Sequence, residues 1–237
     1  MASKYQREVY NKEASQQRGG RSQRIEKIRK ILYYMIRDGG KKKILDIGCG
    51  DRKLVAPLCR KNHCYGVDVA RSPLRRAKEG GMAVIQSDFE RGGLPFKDNC
   101  FDIVICSEVI EHVVNTDHLL REINRVLPQD YGHVVLSFPN VAQPLSWLML
   151  ILDYPPKYSA RYKSPHVRDF TLKTMRVALE NSGFQLEHVE GTSRLTSKIP
   201  RLSDQIIVTA SKVDRPRGSP AVVWDVRTLW RESNGRK

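Results

Sequence analysis

The stretch KKKILDIGCGD, residues 41–51, decides the architecture of this chain. Three lysines give way to the short run Ile44-Leu45-Asp46-Ile47, which stops at Gly48-Cys49-Gly50. An apolar run of that length, bounded by glycines, reads as a buried strand over 43–47 entering a tight turn. The same rhythm continues outward. Strands are predicted at 63–69, 83–86, 101–106, 133–138, 184–190 and 205–211, and helices at 22–37, 54–61, 72–80, 116–127 and 171–182. Asp38-Gly39-Gly40 and Gly183 supply stop signals after helices. Strands alternating with helices argue an α/β fold whose sheet is parallel and covered on both faces.

Composition bounds the rest. The 237 residues carry 41 Lys plus Arg against 26 Asp plus Glu, a formal charge of +15, and 40% are apolar. That is enough for one sizeable core and too apolar for a wholly disordered chain. The longest apolar runs, 31–36 and 147–152, fall short of the roughly 18 residues a bilayer demands, so no transmembrane segment is expected. MASKYQREVYNKEASQQRGG at the start has no apolar core of a secretory signal. The cysteines at 49, 59, 64, 100 and 106 are odd in number and form no CxxC pair. A disulfide framework and a structural zinc site are therefore poor readings, and the expected setting is cytoplasmic.

The charge is uneven. Residues 1–43 hold 13 basic and 4 acidic side chains, and residues 211–237 hold 7 and 3. The body between them is nearly neutral. We expect a basic N-terminal arm and helix (1–40), a central domain (41–211) and a basic C-terminal tail (212–237). The basic ends suit nucleic acid by counterion release, or serve as solvated arms.

The acids around the glycine turn point to a ligand. A dinucleotide fingerprint would place a third glycine at position 53, which is Lys53. Asp46 beside the turn repels phosphate but suits an ammonium group. Asp68 closes the second strand, where an acid accepts hydrogen bonds from ribose hydroxyls. At the end of the third strand, Asp88 beside Phe89 suits an adenine edge and face. A ligand with an ammonium, a ribose and an adenine but no phosphate is S-adenosylmethionine.

Residues 42–140 resemble the class I S-adenosylmethionine-dependent methyltransferases, small-molecule type 11 or MetW-like branch. The resemblance is carried by ILDIGCGD (44–51), YGVDVA (65–70), IQSDFERGGLPFKDNCFDIVICSEVIEHV (85–113), LLREINRVL (119–127) and LSFPN (136–140). It implies a seven-stranded, mostly parallel Rossmann-like sheet with helices on both faces and an antiparallel last strand. It further implies that Asp46, Gly48 and Gly50 face the methionine part, Asp68 the ribose, Asp88 and Phe89 the adenine, and Ser107 the cofactor's edge. Arg52 stands where many members carry another glycine.

Glu108, Glu111 and His112 follow the fourth strand at spacings that share one face of a helical turn. Three readings compete. They orient cofactor and substrate, with His112 or Glu108 as general base and His166 in support. They hold a divalent metal as Glu108, Glu111, His112 and His166, as the resemblance to small-RNA 2′-O-methyltransferases and ubiquinone-type O-methyltransferases implies. Or they cap and pack only. Methyl transfer from a sulfonium needs no Lewis acid, so the metal-free reading is preferred.

About 30 residues separate Asn140 from the helix at Thr171, more than an ordinary loop. They hold Trp147-Leu148-Met149-Leu150-Ile151-Leu152 and Tyr154, Tyr158 and Tyr162. Residues 141–168 read as a lid with apolar walls or as a short helix packed on the sheet. The expected reaction is methyl transfer to an O or N nucleophile of a small, hydrophobic molecule. The alternatives are a metal-assisted RNA 2′-O-methyltransferase, or an S-adenosylmethionine-binding partner protein without transfer activity.

Overall fold

Strand β1, Lys43–Ile47, is buried from Ile44 onward, which follows from a sheet covered on both faces. It pairs in parallel with β2 (His63–Asp68) on one side and β4 (Ile103–Ser107) on the other. Strand β3 (Ala83–Gln86) extends the β2 edge, and β5 (His133–Pro139) extends the β4 side. Beyond β5 lies β7 (Gln205–Lys212), antiparallel to both β5 and the edge strand β6 (Phe184–Gly191). The order β3-β2-β1-β4-β5-β7-β6 places the topological switch between β1 and β4, where open α/β sheets bind ligands at their carboxyl ends. The seven-stranded expectation with an antiparallel last strand holds.

The computed structural model describes residues 20–37, 39–50, 54–79, 81–156, 166–193 and 196–213. The basic ends 1–19 and 214–237, Lys53 and Arg52 of the glycine turn, and Tyr158 and Tyr162 of the expected lid lie outside the described residues.

Helices α1 (Gly20–Met35), α2 (Arg71–Glu79), α3 (Phe89–Gly92), α4 (Thr116–Val126), α5 (Pro144–Ile151) and α6 (Leu172–Asn181) complete the described set with two short 3₁₀ turns, Ile110–His112 and Pro200–Leu202. Two apolar cores result. Ile28 and Leu32 of α1 and Leu74 and Ala77 of α2 join Ile44, Ile105 and Val135 in one core. Leu119, Leu120 and Ile123 of α4 and Met175 and Leu179 of α6 join Leu45, Val104 and Val134 in the other. Leu45 and Ile44, adjacent in β1, enter opposite cores because successive strand side chains face opposite ways.

One predicted element is corrected. Residues 54–61 form successive turns and not a helix. Leu58 donates to the Val55 carbonyl at 2.8 Å and Lys61 to that of Leu58 at 3.2 Å, each reaching three residues back. Pro57 is the cause: it has no N–H for a helical ladder and disfavours helical geometry at Ala56. The apolar side chains Leu54, Val55 and Leu58 are buried nonetheless.

Arg125 on α4 ties down the loop that leads into β4. Its guanidinium donates to the carbonyls of Leu94 and Phe96 and to the carboxylates of Asp98 and Glu122. Glu122 in turn accepts the Leu94 N–H at 2.7 Å. Together the pair fixes a segment that has no regular structure of its own.

Candidate active site

The site begins with the turn after β1. Gly48 has φ of +66°, and a Cβ there would lie 2.4 Å from Val109 Cγ2, so only glycine fits on both counts. The Gly48 N–H donates to the Val67 carbonyl at 2.7 Å, which folds the turn towards β2. Gly50, at φ +52°, would meet only the Gly48 oxygen at 3.9 Å, so backbone is open to a ligand there.

Asp68 sits where β2 ends. Its carboxylate accepts the Gly50 N–H at 3.0 Å and the Ala70 N–H at 2.8 Å. A carboxylate has about four acceptor positions, so capacity remains for a hydroxyl donor. Burial raises the Asp68 pKa, against the lowering by the backbone amides of Ala70, Gly50 and Val69. Asp46 is buried, and its carboxyl is pushed well up, first by desolvation and then by the charge of Asp68. A cationic ammonium is the partner that would reverse that cost. These acceptors, one buried acid and an open glycine turn fit an aminoacyl-ribose ligand and repel phosphate.

The expected adenine pair is divided. Asp88 is half-buried, 3.7 Å from Arg91. Phe89 packs into the core with Leu94 and Val109, so its ring forms part of a wall and not a free stacking plate. Ser107, at the end of β4, shares a 2.8 Å hydrogen bond with Ser137 at the end of β5.

Glu108, Glu111 and His112 do not act as one face. Glu108 has φ of +56°, before the 3₁₀ turn, and is not part of the group of close ligand atoms that the other two form with His166. Its carboxylate meets Arg24 of α1 at 3.0 Å and accepts from Ser137 Oγ at 3.1 Å and Gln205 Nε2 at 2.6 Å. Three elements, α1, β5 and β7, converge on it. Neither Arg24 nor Gln205 is signalled by any local motif, since they lie 84 residues before and 97 residues after their partner.

Glu111 and His112 instead meet His166. The two imidazole rings stand edge to face at 4.8 Å, and ligand atoms from Glu111, His112 and His166 all lie within 4.8 Å of one another. The chain brings His166 there by docking its following residues on the turn. Val167 and Arg168 donate their N–H groups to the Glu111 carbonyl at 2.9 and 3.1 Å, and the Arg168 guanidinium donates to the Val114 carbonyl. Arg168 was not singled out from sequence. Glu111 is only 1% exposed, and neither of its carboxylate oxygens has a hydrogen-bond partner among the described residues. Desolvation, then the charge of Glu108, drives its pKa well up, while Arg24 opposes them.

A sheet of this order, with an acid-lined glycine turn at its switch point, defines the class I S-adenosylmethionine-dependent methyltransferase fold. The methyltransferase-domain family matches residues 21–189, and the chain belongs to that family. Among curated relatives, the bifunctional methionine biosynthesis protein MetXA/MetW of Rhodopirellula baltica is 34% identical over 42% of this chain and 17% of its own length. A ubiquinone biosynthesis O-methyltransferase of Yersinia pestis is 30% identical over 52% of this chain and 53% of its own. The chain thus spans about half or less of the curated relatives it matches. The magnesium protoporphyrin IX methyltransferase of Synechocystis, solved with bound SAH, superposes with a TM-score of 0.61 at 18% identity, covering 81% of this chain and 84% of that one. At that identity the likeness concerns the fold.

Proposed function

We propose that this chain methylates an oxygen or nitrogen nucleophile of a small, hydrophobic molecule, with S-adenosylmethionine as donor. The observation that carries the reading is Asp68, held by Gly50 and Ala70 at the carboxyl end of β2 with acceptor capacity left over. In the proposed site Asp68 receives the ribose hydroxyls, Asp46 faces the ammonium, and Gly48 and Gly50 leave room for the methionine part. Asp88, the Phe89 wall and Ser107 border the rest. The bound donor supplies an electrophilic methyl group on its sulfonium.

The residues of this chain then orient the acceptor in line with that methyl group and keep water out. Glu108 makes a poor base, because its oxygens are already engaged by Arg24, Ser137 and Gln205. His112, with His166 against its ring, is the better candidate to take a proton from an acceptor hydroxyl. The likeness to the Yersinia ubiquinone biosynthesis O-methyltransferase supports a hydroxyl acceptor. Of the expected lid, 141–168, residues 157–165 lie outside the described residues.

The deciding experiment incubates the protein with methyl-labelled donor and, separately, extracted small molecules and RNA. Label in a small molecule supports the reading. Label in RNA would transfer the assignment to the RNA alternative. Tight donor binding with no label anywhere would leave a binding protein without transfer activity.

A second reading is favoured by the cluster of Glu111, His112 and His166. One carboxylate and two imidazoles suit Zn²⁺ or Mn²⁺, and the unpartnered, buried Glu111 oxygens fit such an ion. Glu108 takes no part in that cluster. Titration of Mn²⁺ or Zn²⁺ by calorimetry tests this directly, with Glu111→Gln and His166→Ala each expected to remove the binding.

A further inference from the structure

Helix α5 is an anomaly for a soluble surface. Leu145, Trp147, Leu148, Leu150 and Ile151 are exposed, as is Leu152 just beyond it, and Ile151 reaches 81%. At 3.6 residues per turn these positions occupy every side of the helix except that of buried Ser146 and half-buried Met149. The backbone is well made: Gln143 caps the helix by accepting the Leu145 N–H at 3.0 Å, and Pro144 occupies its first turn. A stably capped helix therefore presents apolar side chains outward.

We propose that α5 lies in the interface of an anionic lipid bilayer, dipping its apolar side chains among the acyl chains. The geometry excludes spanning, since two turns are about 12 Å long against a hydrocarbon core of about 30 Å. No helix among the described residues is long and apolar enough to cross a membrane. A partner helix or groove covers one stripe, whereas α5 is apolar around most of its circumference, which suits immersion in a continuous apolar medium. A second copy meeting only this short helix would bury far less than the roughly 800 Å² per partner of a stable interface.

Charge agrees with the choice. Residues 131–152 contain no Asp, Glu, Lys or Arg, while residues 154–163, just after, contain Lys157, Arg161 and Lys163 and no acid. Trp147 and Tyr154 are the amphipathic rings that settle at the headgroup level, and basic residues nearby draw the chain to anionic lipid. The whole chain carries +15. The C-terminal segment is the poorer occupant. Val213 donates its N–H to the carbonyl of Gly183, just before β6, at the end of the sheet where β5 begins and opposite the end from which α5 departs.

The test is sedimentation of the full chain with vesicles of phosphatidylcholine alone and with about 30% phosphatidylglycerol, at low and high salt. The expected result is retention on the anionic vesicles that salt weakens but does not abolish. Trp147→Ser/Leu148→Ser/Ile151→Ser should reduce it by roughly tenfold or more, with donor binding and far-UV circular dichroism unchanged. In a variant retaining only Trp147, through Trp224→Phe and Trp230→Phe, brominated lipid should quench the fluorescence. Equal retention of the triple variant would overturn the proposal and leave the basic segments as the whole attraction. A lipid-free dimer that the triple variant dissociates would overturn it in favour of a second copy. Vesicle binding that emerges only on deleting residues 214–237 would overturn it in favour of the chain's own tail.

Discussion

The corner of the molecule around Glu108 and the corner around Glu111 are three residues apart, and each buries a carboxylate. At Glu108, helix α1, strand β5 and strand β7 all send donors, so the charge is matched on several sides. At Glu111, the backbone carbonyl is well used by Val167 and Arg168, but the side-chain oxygens have no described hydrogen-bond partner and sit against two imidazoles. Burying an unmatched carboxylate costs stability, and folded proteins keep such groups mainly where a ligand or reaction uses them. The contrast marks the first corner as a matched ion pair within the fold and the second as the candidate place for chemistry.

The largest expected effect breaks the first corner. Arg24→Ala removes the cation beside Glu108 and should cost about 3 kcal/mol of unfolding free energy, the lower end for breaking a buried pair. Urea denaturation measures it, and a loss within about 0.5 kcal/mol, the range of an ordinary surface change, would mean that Glu108 is not held by its charge partner. Next is Asp68→Ala, which should weaken donor binding in calorimetry by roughly 1.5–3 kcal/mol. Because burial raises the Asp68 pKa, wild-type affinity should fall as pH drops through that raised value, and the alanine variant should lack this limb. An unchanged affinity with an intact fold would remove Asp68 from the donor site.

Arg125→Ala lies outside both corners and serves as a control, with an expected loss of about 1–2 kcal/mol for a partly exposed hub. Its partner Glu122 has a lowered pKa, chiefly through the Arg125 hydrogen bond. The stability it contributes is therefore present above the ordinary glutamate range and lost as pH falls through the lower folded value. Donor affinity should not move.

The smallest effect has the opposite sign. The folded pKa of Glu111 is raised, so stability declines as pH rises through it. In chelated buffer, Glu111→Gln should match or exceed the wild type at neutral pH, by about 1 kcal/mol at most. Added Mn²⁺ or Zn²⁺ should raise the wild-type melting temperature and leave the variant unmoved. A strongly destabilised glutamine variant in chelated buffer would dissolve the contrast between the corners.

Much of the fold could be read from local pattern. β1 and β3 fall on their expected residues: β1 is a short buried run that stops at a glycine turn, and β3 is a short edge strand of β-prone residues. Pro57 is visible in the sequence too, but the apolar spacing of Leu54, Val55 and Leu58 is one that a helix and successive turns share. The position of Asp68 at the end of β2 was legible, and the structure sets it there with the Gly50 and Ala70 amides on its carboxylate. The division between Glu108 and Glu111 was not, since it depends on Arg24 and Gln205 arriving from remote elements and on a left-handed backbone at Glu108. His166 was found as an isolated histidine, but the N–H groups of Val167 and Arg168 that dock its segment carry no sequence signal.

The contact between Gly48 and Val109 has an evolutionary consequence. The glycine turn after β1 and the loop that carries Glu108, Glu111 and His112 share a single wall, with no space for another carbon between them. Drift at these two positions cannot be independent. A descendant that acquires a side chain at 48 must tolerate a left-handed backbone there and shrink position 109 at the same time, which moves the neighbours of Glu108. Diversification of that loop in this lineage is therefore confined to substitutions that leave the Val109 wall in place.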